Sequence, residues 1–229
     1  MSLIALAPSM PSAPVFMAIL LVIFFGIGLH EYAHAKMADA AGDPTPGMYG
    51  RVTLNLFKHF EVVGTIMIIF TSIAGVGIGW GTPVPMDPRR MRNPRWDHFA
   101  AVIAGPISNI LQAAVYAIIL RVLAMSAPEL LDNMFLRAFL ILGVMINLSL
   151  CFFNLLPIGP LDGMWLLGTF LPDRTRDRWT RWNLTVGQFV FLFLVIAGQL
   201  SEFSIISTLI LPPIEALFRF FTGMDTRLG

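Results

Sequence analysis

The sequence predicts an all-α polytopic membrane protein. It should have about five spanning helices, a re-entrant apolar segment over 62–80 and a short β-hairpin near the candidate active site. Three observations predict this. The 229 residues are 56% hydrophobic and only 13% charged, with a mean hydropathy of +0.75. Soluble domains carry about 25% charged residues, so this chain could not cover itself in water. Five segments (14–36, 98–125, 134–156, 184–200 and 203–222) are apolar over lengths close to the ~20 residues a span needs. Finally, the basic residues are unevenly shared among the connections, and that distribution sets the topology.

The first segment is apolar from Val15 to Leu29 with no Lys or Arg before it. It is expected to be a retained span rather than a cleaved signal peptide. Connections rich in Lys and Arg stay cytoplasmic. The 36–61 connection holds Lys36, Arg51 and Lys58, the 81–97 connection Arg89, Arg90, Arg92 and Arg95, and the 172–183 connection Arg174, Arg176, Arg178 and Arg181. The 126–136 connection holds Glu129 and Asp132 instead. The N-terminus is therefore expected outside, with three connections inside.

Both connections flanking 62–80 are basic, so this segment should enter and leave on one side. Gly75, Gly77, Gly79 and Gly81 would permit the return. Non-helical backbone at that depth must be buried in protein or line a wet cavity. An ordinary span with one basic loop outside is the alternative. In Gly50–Phe57, Val52, Leu54 and Leu56 alternate, which reads as a strand. Pro83, Pro85, Pro88 and Pro94 make 82–96 extended.

The whole chain, 1–229, reads as a single domain, with a core over about 14–171 and a C-terminal helix pair over about 184–222. A net charge of +1 gives no reason to expect a nucleic-acid partner. The single cysteine, Cys151, excludes an internal disulfide and reads as a small buried hydrophobe.

His30-Glu31-Tyr32-Ala33-His34 is an HExxH pattern on the first predicted helix. Positions i and i+4 share a helix face, so two imidazoles can hold one Zn²⁺ while Glu31 takes a proton from water. A catalytic zinc takes three protein ligands and leaves one position open. From Pro14 to His30 is about 24 Å of helix, against a hydrocarbon core about 30 Å thick. The motif thus reaches the inner end of its helix while still at apolar depth. The 134–156 segment runs the same way, and Asp162 lies just past its end between two apolar runs. Ionisable groups at such depth are usually functional. Asp162 is the candidate third ligand; the alternative is a cap on the helix beginning near Gly163.

These residues resemble the site-2 protease family of intramembrane zinc metalloproteases. His30–His34 is similar to its HExxH, and Asn154-Leu155-Leu156-Pro157-Ile158-Gly159-Pro160-Leu161-Asp162-Gly163 to its N-x-x-P…L-D-G segment. Gly105-Pro106-Ile107-Ser108-Asn109 is similar to its G-x-x-x-N motif. Gly42–Thr45, Gly50–Asn55 and Gly79–Pro85 look like a compact bacterial and archaeal branch. Gly159 departs from the pattern, since relatives often have proline there. No connection is long enough for a PDZ-like or CBS-like domain, so any gating that such domains supply must come from a regulatory membrane partner or be absent.

The resemblance implies one Zn²⁺ on His30, His34 and Asp162, with Glu31 as the base. It implies hydrolysis of peptide bonds within or beside the transmembrane segments of single-span substrates in a prokaryotic cytoplasmic membrane. Asn109 would help stabilise the reacting carbonyl; its other reading is a hydrogen bond between helices. Asn154 belongs to the motif, while Asn147 is expected only to bond a neighbouring helix. Arg51, Val52, Thr53, Leu54 and Asn55 would pair with an unwound substrate as an edge strand, or else form a plain internal hairpin. His59 and His98 read as ordinary surface or interface histidines. Two other classes compete: a transporter or metal-binding scaffold, which should show paired halves that this chain lacks, and an inactive family member, against which the intact Glu31 argues.

Overall fold

The computed structural model describes residues 11–73, 81–201 and 204–224. The helices that organise it are α1 (Ala13–Ala40), α2 (Thr45–Met48), α3 (Val62–Ile73), α4 (Trp96–Ser126) and α5 (Met134–Asn154). They are followed by α6 (Asp162–Phe170), α7 (Asp173–Trp182), α8 (Gln188–Leu200) and α9 (Ile205–Thr222). A π-helical turn over Asn183–Gly187 joins α7 to α8 without a break. Five helices in the described residues are long and apolar enough to cross a membrane: α1, α4, α5, the continuous Asp173–Leu200 helix and α9. They coincide with the five segments expected from hydropathy.

The centre of the bundle is α1, α4 and α5, each packed on the other two, with α9 laid against α4 and α5. Small residues make this contact close. Ala113 and Ala117 of α4 meet Val144 and Leu148 of α5 and Ile214 and Phe218 of α9 in one buried cluster. In a bilayer there is no water to expel from between helices, so tight packing of this kind supplies the association.

The opposite face of α4 is different. Leu111, Val115, Ile118 and Val122 follow helical spacing and are each more than half exposed. A soluble protein rarely leaves such a stripe bare; lipid tails solvate it without penalty.

α3 has 12 residues, or about 18 Å at 1.5 Å per residue. It packs on α1 through Ile68, which meets Ile23 and Ile27. The second half of the expected re-entrant segment, 74–80, lies outside the described residues.

The expected β-hairpin is absent: among the described residues there is no strand. Gly50, at φ +65°, turns the chain, residues 52–54 bend, and Leu56–His59 forms a 3₁₀ turn. The loop closes on itself, with the Arg51 guanidinium donating to the Lys58 carbonyl and His59 Nε2 bonded to the Thr53 carbonyl at 3.0 Å. Leu56 is buried against Gly28 of α1, whereas Leu54 and Phe57 are exposed. Three alternating residues satisfied a two-residue period without a partner strand to pair with. His59, expected at the surface or an interface, is fully buried.

The 81–95 connection runs without regular structure to 87, makes a 3₁₀ turn at Pro88–Arg90, and then bends and turns through 91–95 into α4, so the expected extended 82–96 is only partly met. It is fastened to the end of α1. The buried Asp43 carboxylate accepts from the Thr45 and Asp87 backbone N–H groups at 3.0 and 2.7 Å. The Arg92 N–H donates to the Ala41 carbonyl at 3.1 Å.

Candidate metal centre

His30 and His34 lie one turn apart on the buried face of α1, and both residues are under 6% exposed. α6 begins at Asp162 with no side-chain cap on its first turn. The Asp162 carboxylate turns to the two histidines instead. Its Oδ2 lies 3.2 Å from His30 Nε2 and 3.3 Å from His34 Nε2, and the two Nε2 atoms are 3.0 Å apart. Gly163 belongs to this arrangement, since a Cβ there would lie 2.3 Å from both the Leu155 and Leu156 carbonyl oxygens.

The protons follow from the surrounding bonds. His34 Nδ1 is 2.8 Å from the Ala101 carbonyl, which can only accept, so Nδ1 carries the hydrogen. The Asn109 amide nitrogen donates to the Gly26 carbonyl and to Asn147 Oδ1, both at 3.0 Å. Asn147 is itself oriented by donating to the Gly143 carbonyl at 2.9 Å. Asn109 therefore presents Oδ1 to His30 Nδ1 at 2.7 Å, and that nitrogen too is the donor.

Both Nε2 atoms are left as bare lone pairs facing each other and a carboxylate oxygen that has no hydrogen-bond donor. Three acceptors converging on one buried point require a cation. Ligands about 2.0–2.1 Å from a tetrahedral Zn²⁺ stand about 3.3 Å apart, which the three separations match. Among the described residues, His30, His34 and Asp162 form the group that could hold a metal.

α4 roofs the site. A Cβ on Gly105 would lie 2.3 Å from His34 Nε2 and 2.7 Å from His30 Cε1. Only glycine lets the α4 backbone approach so closely. Glu31 follows His30 on α1 and is half-buried. Beside it passes the 81–82 backbone, held by the Thr82 N–H donating to the His59 carbonyl at 2.8 Å.

The other expected residues are placed differently. Asn109 is fully buried and both its N–H groups are engaged, so contact with a reacting carbonyl would require one of these bonds to open. Arg51–Asn55 sit in the closed loop beside α1. Asn154 ends α5, donating to the Leu150 carbonyl at 3.0 Å. His98 is half-buried with its ring against Trp165.

Asn183 was not singled out by the sequence. Fully buried at the α7–α8 junction, it accepts from the Gly159 N–H at 2.7 Å, just ahead of Asp162. Its signal was faint: one asparagine at the edge of an apolar run.

An HExxH helix completed by an aspartate from another helix end, inside an apolar bundle, defines a membrane metalloprotease. The comparisons agree. The sequence profile described as "Peptidase family M50" matches residues 119–198. The chain is 34% identical over 183 residues to "Putative zinc metalloprotease YwhC" of Bacillus subtilis (strain 168), covering 79% of this chain and 80% of that protein. No solved structure matches. The chain belongs to peptidase family M50, the site-2 protease family, and is a zinc metalloprotease integral to a membrane.

Proposed function

We propose that this metalloprotease acts inside the bilayer, as an endopeptidase hydrolysing peptide bonds within or next to the transmembrane segments of single-span membrane proteins. The observation that carries the proposal is the convergence of His30, His34 and Asp162 in the interior of a bundle whose outer faces are apolar. The whole chain, 1–229, then works as one membrane-embedded domain. The arginine-rich connections support an external N-terminus and a metal centre toward the cytoplasmic side of a prokaryotic membrane.

His30, His34 and Asp162 would hold one Zn²⁺, which when bound supplies a Lewis acid for the scissile carbonyl and for water. Glu31 takes a proton from the attacking water and returns it to the leaving amine. Asn109 and the Ala101 carbonyl hold both imidazoles with Nε2 deprotonated and aimed inward. Arg51–Asn55, through loop side chains, and Asn154 would contact the substrate.

Glu31→Gln tests the assignment. Zinc content should stay at one per chain while cleavage of a single-span reporter in liposomes is lost. Undiminished cleavage would remove Glu31 as the base. Asp162→Ala should lower zinc occupancy, and unchanged occupancy would reject that ligand.

A further inference from the structure

A second polar site lies where α4 begins, between the 81–97 connection, α6 and α7. A cavity of about 250 Å³ is lined by Arg95, His98, Trp165, Thr169, Arg176 and Thr180, together with Pro88, Pro94 and Gly168. Among the described residues, no carboxylate lines it. Among the described residues, Arg95 donates through Nε to the Thr169 carbonyl at 2.8 Å and leaves both terminal nitrogens available. Arg176 is anchored through Nε to the Gly168 carbonyl and through Nη2 to the Leu171 carbonyl and Asp173, leaving Nη1. Two guanidinium groups from different elements thus border one cavity, and Thr180 adds a hydroxyl.

The aromatic residues give its depth. Four of the five tryptophans gather here: Trp165 in the wall, Trp96 beneath the Arg95 guanidinium, and Trp179 stacked near Trp182. Tryptophan concentrates at membrane–water interfaces. The anion most abundant at that depth is a lipid phosphate, and planar guanidinium forks match phosphate oxygens.

We propose that the cavity between Arg95, Arg176 and Thr180 binds a phosphate group, supplied at headgroup depth by an anionic phospholipid. The site adjoins the metal centre on two sides. His98 precedes by one turn Ala101, whose carbonyl holds His34, and Trp165 follows Asp162 by one turn. An occupant held by Arg95 and by Arg176 and Thr180 therefore ties the start of α4 to α7, whose Arg176 is itself anchored on α6, and slows zinc loss. This second effect rests on the reading of the centre as a metal site; the binding itself does not.

The test uses the zinc-loaded full chain in detergent, with lipid retention followed by native mass spectrometry. Phosphatidylglycerol should be retained about tenfold more tightly than phosphatidylcholine. Arg95→Gln should abolish the preference, Arg95→Lys should keep most of it, and Arg174→Gln, outside the cavity, should leave it intact. Thermal unfolding without lipid checks that each variant is folded. If millimolar inorganic phosphate displaces the lipid, the site serves soluble phosphate; if not, it serves a headgroup. Equal retention of the two lipids, or equal losses in Arg95→Gln and Arg174→Gln, would overturn the proposal by reducing the site to diffuse basic surface.

Discussion

Substituting Gly105 by alanine adds one methyl group at the roof of the metal centre. That carbon would lie 2.3 Å from His34 Nε2, 2.5 Å from His34 Cε1 and 2.7 Å from His30 Cε1. Favourable contacts between such atoms lie at about 3.5 Å or beyond, so an imidazole or the α4 backbone must retreat by about 1 Å. Neither ring is free to turn, because each Nδ1 is tied, to the Ala101 carbonyl and to Asn109. Zinc sites hold their ligand distances to about ±0.2 Å. Loss of supporting bonds alone lowers metal affinity about 10–100-fold, and direct displacement of a ligand should reach or exceed the upper figure. Helix propensity pushes the other way, favouring alanine by about 1 kcal/mol, so the zinc-free fold should survive. The assay is competition for zinc against a chelator of known affinity, alongside thermal unfolding of the zinc-free protein. Wild-type zinc affinity in Gly105→Ala would refute the close approach of α4 to the histidines.

Three further perturbations follow from named contacts. Asn109→Ala should weaken zinc binding about 10–100-fold through His30; unchanged zinc binding with slowed cleavage would instead place the amide at the reacting carbonyl. Asn183→Ala leaves the Gly159 N–H without its acceptor, which costs about 1–3 kcal/mol and should lower the unfolding temperature most in the zinc-bound form; equal losses with and without zinc would detach Asn183 from the Asp162 segment. Leu148→Ala in the buried cluster should destabilise by about 2 kcal/mol, the low end for core truncations because lipid rather than water is the alternative neighbour. Leu111→Ala on the lipid-facing stripe should stay within about 0.5 kcal/mol, and comparable losses in reversible unfolding from bicelles would show the faces to be misassigned.

The spans were legible because a membrane leaves little choice: long apolar runs must be helices, and five of them are. The metal ligands were legible for a related reason. His30 and His34 are fixed on one face by helical spacing, and Asp162 stood alone between apolar runs at matching depth. What failed was local. The alternation at Val52, Leu54 and Leu56 is too short to distinguish a strand from a loop closed by its own side chains. His59 read as a surface or interface residue because it lies in a connection between apolar segments, yet the chain folds it fully inward. The bonds from Asn147 through Asn109 to His30 were partly visible as helix-to-helix polar contacts. Which amide face meets the imidazole depends on helix rotations that no single segment encodes.

The ligand set also orders events in time. His30 and His34 leave the ribosome long before Asp162, with all of α4 and α5 between them. The Asn109 and Ala101 oxygens that fix the imidazole tautomers arrive only with α4. Two histidines without those supports and without the carboxylate would grip a metal poorly. A complete ligand set therefore exists only once α5 and α6 have been made, so metal affinity reports the assembly of α1, α4, α5 and α6 rather than of the HExxH helix alone.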